Sequence, residues 1–430
     1  MRYSLIPKEL FIHNRNRFVQ YLKPKSLAVL NANDIMPTNA DGTMPFRQNS
    51  DIFYLSGIDQ EQTILLLFPD AQDEDMRELL FLTETNEEIA IWEGEKLTKE
   101  KAYSISGIKA VHWLYEFPRI FHTLMSEAEY VYLNTNEHTR AVVEVETRDA
   151  RFIKYCKERY PLHKYERLAP IMHQLRAVKS PWEIELLQTA CHITELGFRR
   201  VLKTLKPGMM EYEIEAEFIY EFIRNRSRGS GYTPIIASGA NACILHYTQN
   251  NQPCKDGDLL LIDIGAEYAN YNADMSRTIP VNGKFNSRQR AVYDAVLRVM
   301  RQAKELLKVG NTIVEYHKAV GEIVTKELVD LGLLTMNEVN KQDKKKPAYK
   351  KYFMHGTSHY LGLDVHDVGS FYRKLEPGMV FTCEPGIYIR EEGLGIRLEN
   401  DILITKDGNL DLMQNIPIEA EEIEEIMQKR

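Results

Sequence analysis

The amino-acid sequence predicts an α/β (α+β) protein built from two domains. Three observations carry that expectation. The chain has 430 residues, more than one ordinary hydrophobic core accommodates. Its first half alternates short apolar runs with polar turns and helix-like stretches. Near residue 175 the texture changes to long amphipathic helices, followed by a strand-rich region. The expected domains are 1–174 and 175–430.

In the first half, SLAVLNAN, TILLLFP, RELLFLTE, EIAIWEG and AEYVYLN each read as a short buried strand between polar turns. Past residue 175 a helix start is written out. Ser180 can cap, Pro181 suits the first turn, and Glu183 completes the spacing of a capping box. Ile184, Leu187, Ala190, Ile193 and Leu196 then keep a helical period. Glu211 opens a second amphipathic helix. Beyond about residue 230 strands dominate, with helical segments expected at about 286–308 and 312–332. The basic run KQDKKKPAYK (341–350) reads as a solvated loop, and IEAEEIEEIMQKR as an acidic surface helix.

Composition excludes several functions. Hydrophobic residues make 44% of the chain and charged ones 27%, the balance of a water-exposed globular protein. A net charge of -8 argues against binding nucleic acid through its phosphates. Cys156, Cys191, Cys243, Cys254 and Cys383 are few and scattered, with no CxxC pair. That spacing fits neither a disulfide framework nor a thiolate zinc site, and suggests a reducing cytoplasm. No apolar run reaches the ~18 residues of a membrane span. The first residues also lack the apolar core of a signal peptide.

The chemistry is carried by carboxylates in apolar places. Asp263 interrupts LLLIDIG, a run typical of a buried strand, and an unpaired buried carboxylate costs several kcal/mol. Asp274 follows just before MSRTIPV. A hairpin turning near Tyr268 and Ala269 would set the two aspartates opposite each other, with Cβ atoms ~5 Å apart. Such a pair needs positive charge between its members, unless the aspartates meet solvent or Arg277 instead. Glu384 stands where VFTCEPGIYI is broken by Pro385 and Gly386. In GIRLENDILIT, Ile396 and Leu398 share one face, Arg397 and Glu399 the other.

The stretch FMHGTSHYLGLDVHDVG places His355, His359 and His366 together with Asp364 and Asp367. His355 and His359 have the spacing of the HExxH zinc motif, but Gly356 occupies the place of its glutamate. The glycines and serine also oppose a helix. One histidine with four carboxylates makes a hard, oxygen-rich set, better suited to two Mn²⁺ or similar ions than to a thiolate or histidine-rich zinc site. Two such ions ~3.5–4 Å apart can share a hydroxide.

These positions, in this order, resemble the pita-bread metallopeptidases. The matching stretches are ILHYTQN, LLLIDIGAEYANYNADMSRTIPVNG, FMHGTSHYLGLDVHDVG, EPGMVFTCEPGIYI and GIRLENDILIT. MPFRQNSDIFYLSG resembles the N-terminal domain of the aminopeptidase P and prolidase branches, and the whole looks most like bacterial aminopeptidase P. The resemblance implies a C-terminal pita-bread domain, a pseudo-two-fold antiparallel sheet flanked by helices, after the N-terminal α/β domain. It implies two divalent metal ions, Mn²⁺ first, with Co²⁺, Fe²⁺ or Zn²⁺ as alternatives. Asp263 would bind one ion, Asp274 and Glu399 would bridge both, and His359 and Glu384 would complete the second. None of these five is substituted, unlike in creatinase and the catalytically dead relatives.

By the same resemblance, His246, His355 and His366 surround the substrate and Arg397 lies beside the carboxylates. Glu384 is the expected proton acceptor. Tyr232, Tyr388, Asp51 and Trp92 match the surroundings of the site. The implied activity is a metal-dependent aminopeptidase, which releases the N-terminal residue from peptides with proline second through a hydroxide bridging the ions. The alternatives are prolidase, acting on Xaa-Pro dipeptides, and a non-enzymatic peptide-binding module. Expected partners are such peptides and further copies of the chain in a homodimer or homotetramer, with neither nucleic acid nor membrane.

Overall fold

The computed structural model describes residues 2–343 and 345–429. The chain divides into two compact units, Tyr3–Arg176 and Ala177–Arg430.

The N-terminal unit is built on one six-stranded mixed sheet. Its strands are β1 (Ser26–Asn31), β2 (Ile64–Leu67), β3 (Glu78–Leu82), β4 (Ala110–Trp113), β5 (Tyr130–Leu133) and β6 (Lys164–Arg167), in the order β4-β3-β2-β1-β5-β6. Pairing is antiparallel between β1, β2 and β3, and parallel elsewhere. All six residues of β1 are buried, because helices cover both faces of the central strands. Leu27, Val29, Leu66 and Phe81 meet Phe121 and Leu124 in one core.

EIAIWEG is a correction. It forms a helix, Glu87–Trp92, rather than a strand. Asn86 caps it by accepting from the Ile89 N–H, and Glu87 and Glu88 sit favourably at its positive end. Its Ile91 and Trp92 are exposed, so the apolar letters that suggested a buried strand never enter the core.

The second unit opens with two long helices, α1 (Pro181–Thr204) and α2 (Glu211–Arg224). The capping box at Ser180 is present: Ser180 N–H donates to Glu183 Oε2 at 2.8 Å. Two further long helices are α3 (Ser287–Leu306) and α4 (Ile313–Asp330). Between these pairs lie β7 (Ile235–Ser238), β8 (Leu259–Asp263), β9 (Glu267–Tyr268), β10 (Tyr271–Asn272) and β11 (Ser276–Pro280). After α4 come β12 (Val380–Cys383), β13 (Gly386–Ile389), β14 (Leu394–Arg397), β15 (Asn400–Thr405) and β16 (Gly408–Asp411). The sets form two antiparallel three-stranded sheets, β11-β8-β7 and β12-β15-β16, with the hairpin β13-β14. This is the pita-bread plan, one sheet from each half of the unit. The acidic terminus forms a helix, Ala420–Gln428. In the basic run, Lys341 ends a short helix and Lys344 lies outside the described residues.

Candidate metal centre

Asp263 ends β8, after Leu259 to Ile262 have carried that strand through the core. It pairs with Ser276 across the ladder, not with Asp274 as the hairpin reading expected. The turn explains the correction. Ala269 and Asn270 have φ of 52° and 68°, so the two-residue turn lies one residue later than expected, with Tyr268 opposite Tyr271. A turn moved by one residue slides the register by two, and a two-residue slide keeps every side chain on its face. Asp274 therefore still meets Asp263. The Tyr232 hydroxyl lies 2.7 Å from Oδ1 of Asp263 and 2.6 Å from Oδ1 of Asp274. Between them the strands nearly touch. A Cβ on Gly265 would come 1.8 Å from the carbonyl oxygen of Ala273, so only glycine fits.

The other carboxylates come from the second half of the unit. Glu384 follows β12, and Glu399 sits at the joint between β14 and β15. Ser276 and Arg397 stitch the halves together. Glu399 N–H donates to Ser276 O at 3.0 Å, and Ser276 Oγ donates to Glu399 Oε2 at 2.7 Å. The Arg397 guanidinium donates to Ser276 Oγ at 2.8 Å, to Asp263 Oδ2 at 2.6 Å and to the Tyr388 hydroxyl at 2.9 Å. Arg277, the alternative partner for the aspartates, points elsewhere. Its donors go to the carbonyls of Ser276, Glu399 and Pro417 and to the Asn400 side chain.

The histidines differ in role. Nδ1 of His359 is 2.9 Å from the Tyr360 carbonyl, which only accepts, so Nδ1 carries a proton. Nε2 then faces Asp274 Oδ2 at 3.4 Å and Glu384 Oε1 at 3.8 Å. His355 ends a chain of hydrogen bonds: Arg397 donates to Tyr388, Tyr388 to Nε2 of His355 at 2.8 Å, and Nδ1–H to the Gly356 carbonyl at 2.7 Å. His366 is exposed, with its ring edge-on to His359, centroids 4.4 Å apart. His246 is exposed on the loop after β7 and acts on the charge of His355. Asp367 forms a buried ion pair with Lys179 at 3.1 Å, which pins the loop beside His366, while Asp364 is exposed.

Electrostatics follow from burial. Glu384 is pushed up to about 7, first by burial, with His359 opposing and Asp274 adding to the rise. Glu399 is held well above the usual carboxylate range by burial and by Asp274, Glu384 and Asp263. Burial also raises Asp263, against the pull of Arg397. Burial disfavours charge on His359, but its contact with Asp274 and the nearby Glu384 outweigh it and raise the imidazole to about 9. Burial, then Arg397, drives His355 down to about 3, so it stays neutral.

Among the described residues, Asp274, His359 and Glu399 offer ligand atoms all within 4.8 Å of one another. Glu384 reaches that group through His359, and Asp263 through Tyr232. Four carboxylates that repel one another, with an imidazole nitrogen turned toward them, fit hard divalent cations. Asp401 was not foreseen. It is fully buried, and its Oδ2 accepts from the Asp274 N–H at 3.1 Å and the Cys191 thiol at 3.4 Å. Its place two residues after Glu399, on the same strand face, was the available signal. Ser276 was also missed, because a serine in a strand carries no signal of its own.

Asp51 and Trp92 belong to the N-terminal unit. Asp51 Oδ1 pairs with Arg176 at 2.8 Å, and its Oδ2 accepts from Asn134 at 2.8 Å. Trp92 is 81% exposed. Among the described residues, no helix is long and apolar enough to cross a membrane.

Residues 185–406 match the model of metallopeptidase family M24, and residues 11–132 that of the aminopeptidase P N-terminal domain. The chain is 38% identical to the Xaa-Pro aminopeptidase of Haemophilus influenzae, covering 98% of each chain. It is 37% identical to the Xaa-Pro aminopeptidase of Escherichia coli, over 99% of this chain and 98% of that one. Among solved structures it resembles zinc-substituted Escherichia coli aminopeptidase P in complex with product, with a TM-score of 0.88, 36% identity and 99% of both chains covered.

Proposed function

The chain belongs to metallopeptidase family M24, and from that premise we propose that it is an Xaa-Pro aminopeptidase: a metal-dependent hydrolase that releases the N-terminal residue from peptides with proline in second position. One observation carries the proposal. Nε2 of His359 is directed by the Tyr360 carbonyl into the carboxylates of Asp274, Glu384 and Glu399, as a peptidase of this family needs. The full-length likeness to Xaa-Pro aminopeptidases supports this reading over prolidase and over a non-enzymatic peptide binder.

Asp263, Asp274, His359, Glu384 and Glu399 would hold two divalent ions, with Mn²⁺ the first choice for an oxygen-rich set. There the carboxylates would be neutralised by the bound ions, whose chemistry would be to make a nucleophilic water available near neutral pH. The remaining work belongs to side chains. Glu384, among the carboxylates beside His359, accepts the proton of the attacking water and returns it to the proline nitrogen as the bond breaks. His366 and His246, both open to solvent, donate to the peptide carbonyl as its oxygen becomes negative. His355 stays neutral, accepts from Tyr388 and so orders the Tyr388–Arg397 pair beside Asp263. Tyr232 keeps Asp263 and Asp274 together.

Five buried thiols without a disulfide support a reducing compartment, the cytoplasm. A homodimer or homotetramer remains part of the proposal. The test uses metal-stripped protein, reloaded with Mn²⁺, on an Xaa-Pro dipeptide and an Xaa-Pro-Yaa tripeptide. Preference for the tripeptide is expected, and preference for the dipeptide would favour prolidase. Asp274→Ala should abolish cleavage of both. Full activity in that variant would sink the dinuclear reading.

A further inference from the structure

We propose that Glu211 is a positioning residue that fixes the loop carrying His246, and through it the substrate side of the active site. Glu211 opens α2 and is fully buried. Among the described residues its carboxylate makes no ion pair, yet it collects five donors. Oε1 accepts from the Ser238 N–H at 2.7 Å, the Ser238 hydroxyl at 2.7 Å and the Asn241 amide at 3.2 Å. Oε2 accepts from the Tyr247 hydroxyl at 2.7 Å and the Gln252 N–H at 2.9 Å. A carboxylate offers about four lone-pair sites, so this one is saturated.

The donors are not scattered. They span the whole loop from the end of β7 to Gln252, on both sides of His246. Ser238, Asn241, Tyr247 and Gln252 also line the same cavity as His246, a groove of about 690 Å³. The His246 imidazole is itself exposed, so the loop backbone sets where it points. The loop is tied to the reacting centre as well: Ala242, Cys243 and Tyr247 pack against Tyr388, with Met354 beside them. A helix N-terminus is a favourable place for this anion. One buried carboxylate thus holds the loop to α2 from inside, while the loop's outer face stays open to a peptide.

The proposal rests on the assignment of His246 to the substrate. Glu211→Gln keeps the volume but exchanges one acceptor oxygen for an N–H₂ group. Either the Ser238 donors or the Tyr247 and Gln252 donors then meet a donor, and the loop must shift. A displacement near 1 Å costs about 10²-fold when it misplaces a group that meets the reacting atoms. The experiment is a double-mutant cycle with Glu211→Gln, His246→Ala and the pair, measured as kcat and KM on an Xaa-Pro-Yaa tripeptide with Mn²⁺ content determined for each. We expect Glu211→Gln to lower kcat/KM by about 10–100-fold at unchanged metal content, and to cost nothing further in the His246→Ala background. Losses that multiply in the pair, or wild-type kinetics in Glu211→Gln, would overturn the proposal. Wild-type kinetics in His246→Ala would instead overturn the substrate assignment beneath it, and the proposal with it. Should Glu211→Gln fail to fold, Tyr247→Phe removes one of the five donors, leaves the buried ring, and enters the same cycle.

Discussion

Gly265→Ala should cripple the site without touching any charged group. The added Cβ would lie 1.8 Å from the Ala273 carbonyl oxygen, where ordinary contact needs at least 3.4 Å. The two strands must therefore part by roughly 1.5 Å, the shortfall between that gap and a normal packing distance. Two backbone hydrogen bonds between these strands flank the contact, Ala273 N–H to Ala266 O at 3.0 Å and Ile264 N–H to Met275 O at 3.0 Å. Losing both costs about 1 kcal/mol each, and overpacking adds about 1–3 kcal/mol. The total of about 3–5 kcal/mol corresponds to a melting temperature lowered by ~10 °C in a unit of this size. Asp263 and Asp274 lie on opposite sides of the contact, so they separate as it opens. A shift of ~1 Å in such a site costs about 10²-fold in rate. Thermal unfolding, metal content and kcat/KM on an Xaa-Pro peptide measure all three effects. An alanine variant with wild-type melting and wild-type kcat/KM would refute the close approach as a constraint on the metal centre.

Three other outcomes are expected. His366→Ala should slow hydrolysis ~10²-fold with both metals still bound, as for a lost donor to a developing negative oxygen; loss of metal in that variant would show that the histidine roles were exchanged. Lys179→Met leaves Asp367 buried without its cation, which should cost about 3–5 kcal/mol in denaturant unfolding, while replacing both partners by apolar residues should restore most of it; equal losses would argue against the pair. The pH dependence has a defined sign. Glu384, raised to about 7, binds its proton more tightly folded than unfolded, so its contribution is present below about 4.5 and lost as pH rises through 7. His359, raised to about 9, contributes below about 6.5 and loses that through 9. The gap in melting temperature between metal-loaded and metal-stripped protein should therefore widen from about pH 5 to pH 9, and a constant gap would contradict the shifts.

The site was legible where chemistry conflicts with surroundings. Asp263 inside an apolar strand announces itself from sequence, and so does the grouping of three histidines with glycines that forbid a helix. The pairing of Asp263 was misjudged because nothing in EYANYN marks Ala269 as a left-handed turn residue. Period-two alternation nevertheless kept Asp274 on the correct face. EIAIWEG failed for a different reason: its apolar content fits a strand, and only the Asn86 cap and the acidic first turn reveal the helix. Ser276 and Glu211 gave no sign, and Asp401 only its place on the face of Glu399, because their importance lies in partners far along the chain. Ser276 and Glu399 are 123 residues apart, and Cys191 and Asp401 are 210 apart. Single-sequence patterns see neighbours, not such pairs.

The stitching of Ser276 and Thr278 to Arg397 and Glu399 has a consequence for the newborn chain. A ribosome that has made Asp263 and Asp274 has made only two of the five residues proposed to hold the metal. The rest must wait until Glu399 has emerged and the second half has folded onto the first, a slow, long-range closure. A chain halted anywhere before that point lacks a proposed ligand and the strand that would hold it. Completion of the proposed site is thus tied to completion of the fold: cleavage would begin only once the strands that confine it are in place.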